Sequence, residues 1–227
     1  MIQIKLHGTS GSGKSTLARD IMAQGRMWNC YGGHSRLVWE GHRVDVQDMK
    51  WPIFILGKYN SQCGGCDTLT AVEQIDLLHK YAPFGHVFYE GLLASEYYGK
   101  LGEASEMYGD NHIFAFLYTP IEVCIQRVKD RRLEKGNTKP LNESNTRGRI
   151  KKIERLQWRL EHEFYRVTRV LNWERPVQDI MELFRQYDQF TGSKSDALLG
   201  SGERSNPPET ATKPAQTMVK RPDIPDV

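Results

Sequence analysis

Apolar and polar residues alternate over Ile2-Gln3-Ile4-Lys5-Leu6, and this period of two predicts a short strand across residues 2–8. A glycine-rich stretch follows. Leu17, Ile21 and Met22 then share one side of a predicted helix over 15–24. RLVWE (36–40) reads as a second strand, and WPIFILGKY (51–59) as another, one half of a hairpin. Thr70 and Glu73 have the spacing of a capping box that opens a helix running to Lys80. HVFYE (86–90) and HIFAFLY (112–118) are short, bounded apolar strands. Thr119-Pro120-Ile121-Glu122 joins a hydroxyl cap, a proline in the first turn and a glutamate three residues after the cap. The helix it starts is expected to run to about Lys135 and stop at Gly136. TKPLNESNTRG (138–148) reads as a polar loop. Ile150, Ile153, Gln157, Leu160 and Phe164 then lie on one face of a long charged helix. VTRVL (167–171) is a last strand, and Pro176 opens a final helix with Ile180, Phe184 and Tyr187 facing inward.

Strands alternating with helices imply an α/β fold: a mainly parallel sheet covered on both faces, in three layers. Ligands on such sheets bind beyond the carboxyl ends of the strands. Three features should converge there: the glycine loop after the first strand, Glu90 at the end of HVFYE, and Thr119 after HIFAFLY. From Thr191 the composition turns to Ser, Pro, Thr, Gly and charge with few aromatics. A folded domain over 1–190 and a disordered tail over 191–227 are expected, because the tail has too little apolar surface to offset its ordering entropy. No apolar run approaches the ~18 residues that span a bilayer. Without a signal-like N-terminus, and with four cysteines in 227 residues, a reducing cytoplasm is expected. The formal net charge of +3 does not by itself argue for nucleic acid.

Residues 8–16 read GTSGSGKST. Gly8 and Gly13 bracket four residues and are followed by Lys14 and Ser15, which is G-x-x-x-x-G-K-[ST], the P-loop pattern. Glycines let successive amides turn inward around phosphate without Cβ clashes, and the helix that follows offers its positive end to the same anion. Gly8, Thr9, Ser10, Gly11, Ser12, Gly13, Lys14, Ser15 and Thr16 are therefore the candidate ATP site. Lys14 reaches the outer phosphates, the Ser15 hydroxyl ligates Mg²⁺, and Thr16 is placed to touch an outer phosphate.

A P-loop serves kinases, switches and motors alike. The chain has no Asn-Lys-x-Asp segment of a guanine reader, and VFYEG fits a motor's acidic strand end only loosely. After HIFAFLY, Arg127 and Arg131 lie four residues apart on one helical face with Arg132 beside them, and a second basic helix follows. Residues 127–155 resemble the lid of P-loop nucleoside and nucleotide kinases, whose arginines close on ATP and offset charge on the transferring phosphoryl group. Glu122, Asp130 and Glu134 offer the alternative of a surface helix with paired charges.

A hydroxyl acceptor benefits from a carboxylate that receives its proton. Glu90 and Asp45 are the two candidates, and Glu90 is also a candidate Mg²⁺ ligand. Glu90 is followed by Gly91-Leu92 where nucleoside kinases of the superfamily carry Arg-Ser. The segment 39–69 is rich in aromatics and is expected to form a hairpin-like insertion on the acceptor side. Trp39, Trp51, Phe54 and Tyr59 belong either to a base-stacking surface or to the core. Cys30, His34, Cys63 and Cys66 have spacings that could supply zinc ligands, or they are thiols near a glycine turn.

GTSGSGKS, GKYNSQCGGCDTL, FYEG and an arginine-rich segment with NESNT together resemble the phage-encoded 5-hydroxymethyluracil DNA kinases of thymine hypermodification. The resemblance spans roughly 1–190 and implies ATP and Mg²⁺ as cofactors, with modified DNA as acceptor. It makes Lys58, Tyr59 and Asp67 acceptor-side candidates. A free nucleoside or nucleotide is the alternative acceptor, and an ATP-binding switch module is the alternative outside enzymes.

Overall fold

The computed structural model describes residues 1–32, 38–60, 65–91 and 98–190. The elements run β1 (Gln3–His7), α1 (Lys14–Met22), β2 (Arg26–Gly32), β3 (Val38–Asp45), β4 (Ile53–Leu56), α2 (Ala71–Tyr81), β5 (His86–Glu90), α3 (Tyr98–Tyr108), β6 (His112–Leu117), α4 (Ile121–Glu134), α5 (Glu143–His162), β7 (Thr168–Leu171) and α6 (Pro176–Phe190). The strands make one sheet in the order β2-β3-β4-β5-β1-β6-β7. From β4 to β7 every pairing is parallel, whereas β3 joins β4 antiparallel and β2 joins β3 antiparallel. This is the α/β class that the alternation of elements implies. No helix among the described residues is long and apolar enough to cross a membrane.

Helices cover both faces because both faces of the central strands are apolar enough to need it. On one face Ile2, Ile4 and Leu6 pack with Leu17 and Ile21 of α1 and with Ile180 and Phe184 of α6. On the other, Val87 and Tyr89 meet Ile75 and Leu78 of α2, and Phe114 and Phe116 meet Ile153, Leu156 and Leu160 of α5. Between these last two clusters lies a polar stripe. Gln3, Lys5 and His7 alternate with the isoleucines of β1 yet are as buried as they are.

Several elements depart from the sequence reading. β2 and α3 were not anticipated: RMWNCYG has no alternation, and its residues are mostly exposed. The stretch 39–69 supplies most of β3 and all of β4, so its strands belong to the main sheet. α5 begins inside the expected loop, where the Asn142 side chain accepts the Ser144 amide at 3.1 Å. Thr119 does not cap α4. Pro120 holds the cap position without a side-chain bond, and the Thr119 hydroxyl donates instead to the Ser12 carbonyl at 2.7 Å. The capping box at Thr70 and Glu73 is present as expected. The expected disordered tail lies outside the described residues.

Buried histidines tie the sheet together in their neutral form. His86 Nδ1 accepts the Ile2 amide at 3.1 Å, so its Nε2 carries the proton toward Asp188 at 3.4 Å. Asp188, on α6, also accepts the amides of Lys50 and Trp51 and so fastens the last helix to the start of β4. His112 Nε2 meets the Tyr89 hydroxyl at 2.6 Å. Burial pulls the imidazole of His86 down to about 4 and that of His112 to about 3. The unfolded chain therefore takes up protons below its ordinary value of roughly 6.5 while the fold does not. Stability is complete above that value and falls as pH drops from about 6.5 toward 4. The thermal midpoint should decline steadily over that window, and His112→Gln should flatten the slope. A midpoint unchanged between pH 7 and 4.5 would contradict this account.

Candidate functional site

The connection from β1 to α1 runs from Gly8 to Gly13 and lies beyond the carboxyl end of β1, the middle of the five parallel strands. Gly11 and Gly13 have φ of +81° and +102°, conformations that side chains resist. A Cβ on Gly11 would run into the Cys124 carbonyl, so the loop lies directly on the backbone of α4. Gly13 stands at the N-cap of α1 without any side-chain cap. The first-turn amides and the positive end of α1 are thus left facing the cleft. Three further contacts brace the loop. They are Thr119 on the Ser12 carbonyl, the Thr9 hydroxyl donating to the Thr146 carbonyl at 3.3 Å, and Arg149 donating to the Ser10 hydroxyl at 3.1 Å.

Lys14 is nearly buried and curls back along the loop, donating to the carbonyls of Gly8 and Thr9 at 2.9 and 3.2 Å. The Ser15 hydroxyl donates to Glu90 Oε1 at 2.9 Å. Glu90 is almost inaccessible, and its Oε2 has no partner among the described residues. Burial raises its pKa; the Lys14 ammonium opposes that shift, and Asp67 adds to it. Arg127 reaches the carbonyls of Gly11 and Ser12 at 3.3 and 3.5 Å. These groups line a cleft of about 700 Å³, together with Asp67, Arg131 and the segment Trp173–Pro176 before α6.

A second close approach lies beside Glu90. Gly57 and Gly65, with φ of +94° and +78°, cross so tightly that a Cβ on Gly57 would strike the Gly65 backbone. Gly65 itself lies against the Glu90 carboxylate and the Tyr59 phenol. Asp67 follows on a 3-10 turn at Cys66–Thr68. Gln74 holds that turn. Its amide nitrogen donates to the carbonyls of Cys66 and Leu69, and its oxygen accepts from Lys5 at 3.1 Å. Lys5 is fully buried, with its ammonium 4.5 Å from the centre of the Tyr89 ring. Burial brings it down to about 8, while Cys66, Glu90 and Asp67 favour its charged form.

The residues singled out in the sequence do not all meet here. Ser10, Gly11, Ser12 and Gly13 of the glycine loop line the cleft with Lys14, Ser15, Thr16, Glu90, Asp67, Arg127 and Arg131, whereas Gly8 and the buried Thr9 lie behind them. Asp45 does not. It ends a strand, as Glu90 does, but β3 runs antiparallel, so Asp45 lies at the opposite end of the sheet. Its carboxylate there accepts from Trp28 Nε1 and Arg43. Arg132 turns away and donates to Asn137 and to the Lys139 carbonyl. Lys58 meets Gly65 through its backbone, and Tyr59 is buried behind the cleft. Phe54 is core, stacked on Tyr81, and Trp51 lies at the far end of the sheet near Asp188. His34 and Cys63 lie outside the described residues. Cys66 is buried, with burial pushing its thiol up to about 12. No group of three or more potential metal ligands of the His, Cys, Asp and Glu types occurs among the described residues.

Arg149, Thr146 and the Trp173–Pro176 segment escaped the sequence reading. The signal for the first two was Asn142, a good cap that would have started α5 early enough to reach the loop. Gly65→Ala should lower stability by about 1–3 kcal/mol, since it adds strain at positive φ and pushes on Glu90. Thermal unfolding checks this, at ~2–4 °C per kcal/mol for a chain of this size. Gly148→Ala is the control: it sits in α5 with open space around it and should be neutral or slightly stabilising.

Two curated phage proteins are similar to this chain. The 5-hmdU DNA kinase of Pseudomonas phage PaMx11 is 34% identical over 165 residues, covering 65% of this chain and 79% of the relative. The 5-hmdU DNA kinase of Pseudomonas phage M6 is 28% identical over 193 residues, covering 79% of this chain and 96% of the relative. No family model matches the chain.

Proposed function

The chain belongs to the phage 5-hmdU DNA kinases, and from that premise we propose that it moves the γ-phosphoryl group of ATP onto the 5-hydroxymethyl oxygen of 5-hydroxymethyluracil in DNA. The observation that carries the reading is the meeting of Lys14, Ser15 and Glu90 at the mouth of the glycine loop. A phosphorus–oxygen bond forms to the hydroxymethyl oxygen, the bond to the β-phosphate breaks, and ADP leaves. The hydroxymethyl proton goes to a carboxylate.

Each residue's part follows from its place. The loop amides and the end of α1 bind the triphosphate, and Lys14 exchanges its loop carbonyls for phosphate oxygens. Arg127 and Arg131 lie on the other wall of the cleft, where they offset charge on the transferring group as lid arginines do. Ser15 and Glu90 present oxygen donors side by side, the donor type that Mg²⁺ prefers, and the unpartnered Glu90 oxygen fits such a role. When bound there, the ion neutralises phosphate charge. Glu90 is also the remaining candidate for the proton, because Asp45 is at the wrong end of the sheet.

Incubation with labelled ATP and three acceptors tests the reading: 5-hydroxymethyluracil DNA, thymine DNA and free nucleosides. Label is expected in the first alone, and label confined to free nucleosides would overturn the proposal. Lys14→Ala should abolish transfer while circular dichroism and thermal midpoint stay near those of the parent. Glu90→Gln should lower kcat by roughly 10²–10⁴-fold, the usual range for a lost general base. Near-parental kcat in a folded Glu90→Gln protein would remove Glu90 from the mechanism.

A further inference from the structure

A row of aromatic rings leads from the outer edge of the sheet to the acceptor side of the cleft. Its geometry depends on one irregularity. β2 and β3 pair Asn29 with His42 and Cys30 with Gly41, and then Tyr31 with Trp39, with a register shift between Cys30 and Tyr31. Glu40 is the extra residue. In an unbroken strand Trp39 would lie on the same face as Gly41 and Arg43. The bulge moves it to the face of His42 and Tyr31. The Tyr31 and Trp39 rings are then 6.4 Å apart, Trp39 and His42 5.2 Å, and His42 and Tyr59 6.2 Å.

The row runs toward the reacting end of the molecule. Because β3 is antiparallel to β4, its first residues and the last residues of β2 lie beside the carboxyl end of β4. Tyr59 closes the row. Its hydroxyl and the Glu90 carboxylate both lie against Gly65, and its carbonyl accepts from Arg19, which lines the cleft. The far end is open: Tyr31 is 48% exposed. At the buried end, both ring nitrogens of His42 and the hydroxyl of Tyr59 have no partner among the described residues, although each residue is more than nine-tenths buried. Burial keeps the His42 imidazole below its ordinary pKa, so it is neutral near pH 7.

We propose that Tyr31 and Trp39 form a stacking platform for the unpaired DNA strand beside the acceptor base, with His42 and Tyr59 continuing the row to the acceptor pocket. This rests on the DNA-directed reading above. A hydroxymethyl group on a paired and stacked base cannot reach a cleft of this kind, so the base must leave the helix and its neighbours lose their stacking partners. The half-exposed Tyr31 ring and the partly exposed Trp39 ring replace that stacking, and they tolerate any sequence because every base has a π face. Through the buried Tyr59 ring the row reaches Gly65, which lies against the Glu90 carboxylate of the cleft.

The Tyr31→Ala/Trp39→Ala protein tests the platform. Polarisation of a labelled single-stranded oligonucleotide containing 5-hydroxymethyluracil measures binding, and labelled ATP measures transfer. Oligonucleotide affinity should fall roughly 5- to 150-fold, the range for one lost stacked base. KM for DNA should rise by a similar factor, KM for ATP should not move, and Tyr31→Phe/Trp39→Phe should restore most of the affinity. A folded alanine variant with parental affinity and parental KM for DNA would overturn the platform and leave the kinase reading standing. A parent protein that labels only free nucleosides would overturn the kinase reading, and the platform with it.

Discussion

The site depends on a contact made by a residue without a side chain. Gly11 lies against the Cys124 carbonyl, and no Cβ fits between them. The glycine loop and α4 are therefore one packed unit. Arg127, one turn beyond Cys124, is delivered to the loop carbonyls by that contact. Thr119 and Thr146 brace the same loop from the starts of α4 and α5. A flexible glycine segment is thus held in one shape by neighbours on several sides, which is the pre-organisation that binding of a charged ligand rewards.

Behind the loop, the polar stripe of β1 carries the electrostatics inward. A lysine at zero exposure is rare because burial disfavours its charge. Lys5 is kept by the Gln74 oxygen, the Tyr89 ring and the negative potential of Glu90 and Asp67. Gln74 also fastens the turn that carries Asp67. One strand therefore leads into the glycine loop at its end and supports the turn that carries Asp67 from its middle. The two halves of the cleft share a common rigid floor.

The antiparallel edge gives the fold its asymmetry. β2 and β3 extend the sheet beyond β4, at one edge only. The single-residue bulge at Glu40 aligns four rings on one face.

Local chemistry was legible in the chain itself. Alternation and capping located β1, α2, β5, β6 and α6, and the spacing of Gly8, Gly13, Lys14 and Ser15 located the glycine loop between β1 and α1, because these signals lie within one or two turns of sequence. Strand direction was not legible. Glu90 closes the apolar strand HVFYE and Asp45 follows the strand read at RLVWE, so both look like carboxylates beyond strand ends, yet antiparallel pairing sends one to each end of the sheet. The stretch forming β2 has no period to betray it, because an edge strand left mostly exposed carries no alternating burial. Thr119 has every local mark of a cap but serves the Ser12 carbonyl across the fold. Propensity and motif act between near neighbours in the chain. Which end of the sheet a carboxylate reaches, and which face an indole takes, is decided by hydrogen-bond register between strands far apart in sequence.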